Sequence, residues 1–488
     1  MNHERLAYRF GPLERRGLLG PLRLGQVVTI GGALLLGVEL LDRIGGGAGV
    51  VAAVLILACA IGLATAPLNG RTPEEWLPVT TAFITRRLRG RRRFRSSLPT
   101  SGRTAAVAPV LQLPSSLRGV ELVTVEHRGR ALGALSERHG RLLTPVLACQ
   151  ALSFALLDPE VQERRLAQWG SVLATAASAP VRRLQWIERT APAQGDELAR
   201  WLHTARDPSM PARGNIVVES YLELIGQSTQ VTRDHEILIA VQLDTARLHG
   251  RSELQPEQVL EQVGQIVRGL EAAEIRVLGA LSSGQLARVL RTGFDPYART
   301  ELASLDALGG GTQMLAEHDA GPLAAVEAWD HYRCDGAFHA THWISGWPRI
   351  DVSPMFMDAL LADSDTVRTV ALTFEPVAPE RSAREVEAAI TRDRADSELR
   401  ARFGQSETAR QRQAQEAAAR REAELAAGHG EVRFSGFVTV SGRDEGELRR
   451  GCAEIHRHAA RARLELRRMY GQQAEAFSFT LPLARGLR

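Results

Sequence analysis

Two apolar runs near the start of the chain, LGQVVTIGGALLLGVELL (24–41) and GVVAAVLILACAIGLATAPL (49–68), constrain the fold more than any other feature. At about 1.5 Å rise per residue, each makes a helix of roughly 27 to 30 Å, close to the thickness of a bilayer's hydrocarbon core. Between them, DRIGGGAG sets three consecutive glycines where both helices stop and the chain reverses. The expectation is a two-helix transmembrane hairpin over 24–68. Small residues at four-residue spacing, Ala33 with Gly37 and Ala58 with Gly62, are expected to line its helix–helix contact. Glu39 and Asp42 fall at the exit end of the first helix, where a carboxylate reaches water.

Charge orients this hairpin. Residues 1–103 carry fifteen arginines against six acidic residues, so the remainder of a chain with net charge +4 is acidic by five. Arginines in the N-terminal segment (1–23) and in RRLRGRRRFR (86–95) flank the apolar runs, while the turn offers only Arg43. Both termini and the remaining domains are therefore expected on the cytoplasmic side of the cell membrane. Arg86, Arg87, Arg89, Arg91, Arg92, Arg93 and Arg95 read as a topology signal in a basic juxtamembrane segment and linker (69–118), with contact to anionic lipid as the next use of that charge. The acidic balance of the rest argues against a nucleic-acid groove as its main business.

All sixty basic residues are arginine. Without a lysine these residues cannot supply a P-loop, whose ammonium reaches the terminal phosphates, nor a Schiff-base or protein-kinase lysine. The four cysteines, Cys59, Cys149, Cys334 and Cys452, lie far apart and read as reduced packing residues. His331, Cys334, His339 and His342 have a superficially metal-like spacing, but residues three apart on a strand face opposite ways. The runs GGGAG and GGGTQ lack the strand-then-helix setting of a dinucleotide site. No catalytic residue, metal or cofactor is expected.

Past residue 118 the pattern is strand, helix, strand. GVELVTVEH (119–127) and the run 142–158 precede a helix capped by Asp158 with Pro159 in its first turn, followed by VRRLQWIERT (181–190). HEILIAVQLD (235–244), a helix, and IRVLGALS (275–282) repeat the unit. A second block reads the same way through 334–348, 366–377, 430–441, a helix at 444–469 and a last strand, AFSFTL (476–481). The expected fold class is α+β: two ferredoxin-like, split β-α-β subdomains (119–305 and 330–488) behind the hairpin, with a protruding Ala/Glu/Arg-rich helical arm at 380–427.

From Ser153 onward, phrases such as FALLDPEVQERRLAQWGSVLA, DGAFHATHWISGWPRIDV and ARLELRRMYGQQAEAFSFTLPLARGL resemble a family of actinobacterial membrane proteins linked to conjugation-like type IV secretion. The hairpin resembles the PrgI-type two-helix subunit of such systems, and the rest is similar to the N-terminal, pre-motor domain of the CagE/TrbE conjugation ATPases. In those ATPases a strand matching Gln473, Ala476, Phe477, Leu481 and Pro482 leads into the nucleotide-binding domain. The resemblance implies a structural component, an oligomer in the family's manner, that docks a separately encoded P-loop ATPase and other channel subunits. Gln473, Phe477, Phe479, Leu481 and Pro482 are the implied docking strand. A type VII secretion component, or a membrane-tethered enzyme, is the alternative.

Overall fold

The computed structural model describes residues 24–65, 69–96, 111–150, 154–192, 233–248, 256–299, 315–361, 366–378, 380–385 and 430–487, with isolated helical positions between them. The expected N-terminal segment and most of the 380–427 arm lie outside the described residues.

Helices α1 (Leu24–Ile44) and α2 (Gly46–Thr65) form the hairpin, turning through Gly45 and Gly46, both at positive φ (61° and 63°). A transmembrane role is not supported: among the described residues no helix is long and apolar enough to cross a membrane. In α1 the apolar run from Val27 ends at Val38, where Glu39 begins an ion pair with Arg43 at 2.6 Å. Twelve helical residues span only about 18 Å. In α2 the glycine-rich opening Gly46–Gly49 leaves an apolar run from Val50 onward of roughly 24 Å, short of the ~30 Å needed. The hairpin expected in the membrane, and the localisation built on it, are corrected accordingly.

Helix α3 (Pro73–Leu88) starts at a capping box, Thr72 with Glu75, and Pro73 sits where its missing N–H costs nothing. Strand β1 (Arg93–Arg95) follows.

With β1 at one edge, the strands form one antiparallel sheet of thirteen. Its first half contains β2 (Glu121–His127), β3 (Arg130–Glu137), β4 (Leu142–Gln150), α4 (Pro159–Ser178), β5 (Val181–Pro192), β6 (Arg233–Asp244), α5 (Pro256–Ala272), β7 (Arg276–Ala280) and α6 (Ser283–Phe294). The second contains β8 (Ala324–Glu327), β9 (Tyr332–Cys334), β10 (Ala337–Gly346), α7 (Asp358–Leu361), β11 (Arg368–Val377), β12 (Glu431–Gly442), α8 (Glu445–Arg461), β13 (Glu465–Arg468) and α9 (Gln473–Ser478).

Within the first half the spatial order is β7-β4-β6-β5, and within the second it is β13-β10-β12-β11. Each is a β-α-β-β-α-β unit in which the two central strands flank the ladder's middle. The two units share one sheet: β5 pairs β11 antiparallel from Leu184↔Phe374 to Thr190↔Arg368, joining them edge to edge.

Alternation along the strands sorts side chains to two faces. Leu184 meets Val172 of α4 and the α5 row Val259, Val263, Ile266 and Leu270, while Val370 and Val438 meet Leu448, Ile455 and Ala459 of α8. Apolar residues recurring every three or four positions make α5 and α8 fit this face. The opposite face, with Ile187, Leu238 and Ala371, is covered by Leu286, Leu290 and Phe294 of α6 and by Phe477, Leu481 and Leu483. Gly133 permits the approach of α6, since a Cβ there would lie 2.6 Å from the backbone nitrogen of Ser283.

Candidate functional site

The residues expected as a docking strand, Gln473 to Pro482, lie in a short helix, α9, and an irregular strap that continues to Arg485 across the sheet's second face. Six alternating residues cannot choose between helix and strand by period alone, and here both faces are buried, so the alternation carries no face information. Gln473 sits where β10 changes partner, from β9 (paired through 337–339) to β13 (paired from 342). Its Oε1 accepts the Thr341 N–H at 2.8 Å and its Nε2 donates to the Thr341 carbonyl at 3.3 Å, so a side chain fills the gap in the ladder.

Phe477 packs on Phe294, Tyr332 and His339, with ring centroids 5.5, 5.4 and 4.7 Å away, and Phe479 packs on Phe437 at 4.9 Å. Leu481 and Pro482 are buried beside them. Gln185 of β5 is fully buried and clamps the strap: its Nε2 donates to the Phe479 carbonyl and its Oε1 accepts the Ala484 N–H, both at 2.7 Å. Gln242 adds a bond to the Leu483 carbonyl at 3.0 Å and Thr373 one to the Arg485 carbonyl at 2.9 Å. The strap therefore serves this chain's own core.

The basic segment is likewise structural in part. Arg86 reaches the buried Glu327 at 3.1 Å and also donates to the Gly471 carbonyl. Burial raises the Glu327 carboxyl above its ordinary range while Arg86 pulls it down, and the Ala474 N–H supplies a further bond at 3.2 Å. Arg92 lies over the Phe83 ring at 4.8 Å. Arg93 and Arg95 sit on β1, which pairs β8, and Arg87, Arg89, Arg91, Arg93 and Arg95 are exposed. Trp76 stacks on Trp329 at 5.8 Å and Phe83 meets the same ring edge-on at 5.0 Å, so α3 fastens the hairpin to the sheet through aromatic contact.

In the hairpin, Ala33 and Gly37 face α2; a Cβ on Gly37 would stand 3.5 Å from that of Ala53. Ala58 is exposed and Gly62 has open space around it, so the α2 side of the contact is made by Ala53, Ala60 and Ala64 instead. Gln26 donates to the Ala64 carbonyl at 2.7 Å and ties the open end. The phase of α2 about its own axis was the piece missing from the sequence, because two small-residue rows compete on one helix.

The histidines singled out in the sequence sit in packing contacts. His339 is held between Ser441 Oγ and the Phe294 carbonyl, each at 2.8 Å, and His342, on the other face, meets His456 with centroids 5.0 Å apart. Burial lowers their pKa values to about 4 and about 3. Among the described residues no group of three His, Cys, Asp or Glu side chains is placed to hold a metal. Glu188 and Thr190 both contact the same nitrogen of His235, Nδ1, at 3.3 and 3.4 Å. A catalytic triad needs its orienting carboxylate and its nucleophile on opposite ring nitrogens, an arrangement this trio does not have.

Fold and contacts together define an α+β protein built on one continuous antiparallel sheet, with a helical hairpin fastened to it by α3. No protein-family model matches the chain, and no curated protein matches it.

Proposed function

We propose that this chain is a non-catalytic structural component of a type IV secretion or conjugative-transfer-like apparatus, serving as a docking platform for a P-loop ATPase. The observation that carries the reading is the uncovered apolar surface of the hairpin: Leu35, Val38, Val51 and Val54 are 75%, 63%, 60% and 61% exposed. A contiguous apolar surface of this kind marks an interaction site. Its occupants in this reading are apolar helices of other subunits of the apparatus, held there while the sheet remains outside the contact. Two further points agree. None of the 488 residues is a lysine, so these residues cannot themselves supply a P-loop, and the sites described above are packing networks.

Purification of a tagged copy from its native cells, with mass spectrometry of co-purifying chains, tests the proposal. A P-loop ATPase recovered in stoichiometric amount is the expected result. Robust ATP hydrolysis by the pure chain, or its recovery alone across mild conditions with nucleotide added, overturns it.

A further inference from the structure

Two hollows, of about 430 and 290 Å³, adjoin at one rim of the sheet. The rim is made by the β3–β4 turn, the start of β5, the ends of β6 and β11, and the strap. Both hollows are lined by Arg138 and Arg182, and together their walls hold eight arginines against four acidic residues. This concentration stands out in a region whose overall balance is acidic.

Half of these arginines are matched. Arg183 pairs with Glu375 at 2.7 Å, Arg141 with Asp244 at 3.5 Å and Arg381 with Glu385 at 3.0 Å, and Arg485 pairs with Glu137. The other four, Arg118, Arg138, Arg182 and Arg247, form no ion pair among the described residues. Arg182 is half-buried, and its pKa is lowered, first by that burial and then by Arg183 and Arg138, against a weaker opposing pull from Glu375 and Asp244, which are themselves paired to Arg183 and Arg141. Like charges gathered in a partly desolvated hollow repel one another, and an anion relieves the repulsion. Arg138 and His139 are consecutive non-glycine residues at positive φ (53° and 56°), a backbone state that costs free energy and holds the turn at the mouth of both hollows.

The lining also says what kind of anion fits. It contains no Phe, Tyr or Trp, and its single ring is the His139 imidazole, so it lacks the row of stacking platforms along which single-stranded nucleic acid is held. Its polar, arginine-rich walls suit planar, two-point recognition of phosphate oxygens, which the guanidinium fork provides. Two adjoining hollows with four unmatched forks suit more than one phosphate. We infer that this rim binds a compact oligophosphate, a small ligand or ligand tail with two or more linked phosphoryl groups. This site stands independently of the platform reading.

The test is calorimetric titration of the full chain with tripolyphosphate at physiological ionic strength, alongside the double variant Arg138→Ala/Arg182→Ala. Neither arginine is in an ion pair, so the paired residues that hold the rim stay in place. The single variants Arg118→Gln and Arg138→Gln, at exposed positions, serve should the double variant lose its fold, and Arg276→Ala, on β7 opposite Gln150 at the far end of β4, is the control. The expected result is saturable binding, weakened at least tenfold by the double variant, severalfold by each single one, and unchanged by the control. No saturable heat, or binding indifferent to all the rim variants, overturns the inference. So does tighter binding of oligothymidylate or of an oligoglutamate peptide, which would reassign the rim to nucleic acid or to an acidic protein segment.

Discussion

Replacing Gln185 by alanine isolates the clamp on the strap. The side chain is fully buried and satisfies two backbone groups, the Phe479 carbonyl and the Ala484 N–H, at 2.7 Å each. Alanine removes both partners and leaves two polar groups beneath the strap with no water to replace them. A buried group stranded in this way costs about 1 to 3 kcal/mol, so the expected loss is roughly 2 to 5 kcal/mol, with a smaller addition from the vacated volume. Because the remaining bonds to Leu483 and Arg485 come from Gln242 and Thr373, the strap should loosen locally before the sheet unfolds. Hydrogen exchange read by mass spectrometry should therefore show faster exchange in peptides covering 479–485, with those from β12 unchanged. Denaturant unfolding should give the global cost. Exchange in 479–485 equal to wild type, together with a stability change below about 0.5 kcal/mol, would refute the assignment of the clamp.

Three further predictions use other contacts. Arg86→Gln strands the buried Glu327 carboxylate and should cost about 3 to 5 kcal/mol, read by denaturant unfolding; a loss under about 1 kcal/mol would return Arg86 to a mere surface charge. His342 has its pKa lowered to about 3 by burial, then by His456 and Arg468, so the folded state binds fewer protons than the unfolded one. Its contribution is complete above the unfolded value of about 6.5 and is lost as pH falls toward 3, on the order of 3 kcal/mol between pH 7 and 4. His342→Leu should accordingly lose less stability than wild type between those two pH values, and equal losses would count against it. Gly37→Ile forces a side chain against Ala53 and should cost about 1 to 3 kcal/mol, whereas Gly62→Ile, with open space around it, should be neutral or slightly stabilising; hydrogen exchange across 27–62 separates the two.

Much of the sheet was legible because strand alternation and helix caps are local signals. The run 181–190 lies within β5, 235–244 within β6 and 366–377 over β11, and Asp158 with Pro159 marks the start of α4. What escaped was set by contacts between distant residues. β13, at Glu465–Arg468, reads as the tail of a helix until its pairing with β10 is known. The joining of the two units through β5 and β11 has no signature in either strand alone, since each only looks half-buried. The hairpin's apolar runs were visible, but the first was counted past the charged Glu39, and among the described residues no helix is long and apolar enough to cross a membrane. The rim arginines escaped for a different reason: in a chain whose every basic residue is arginine, eight converging from six segments do not stand out along the sequence.

The strap also sets a timetable for folding. Leu286, Leu290 and Phe294 of α6 share a core with Phe477, Leu481 and Leu483, almost two hundred residues later in the chain. At synthesis rates of about 5 to 20 residues per second, the earlier surface waits on the order of 10 to 40 seconds for the side chains that cover it. During that interval the growing chain displays an unfinished apolar face, and a ribosome-associated chaperone is the natural custodian of it. Slowing translation between codons 300 and 470 should lengthen that dependence, whereas the same delay placed before codon 280, when α6 has not yet been made, should leave it unchanged.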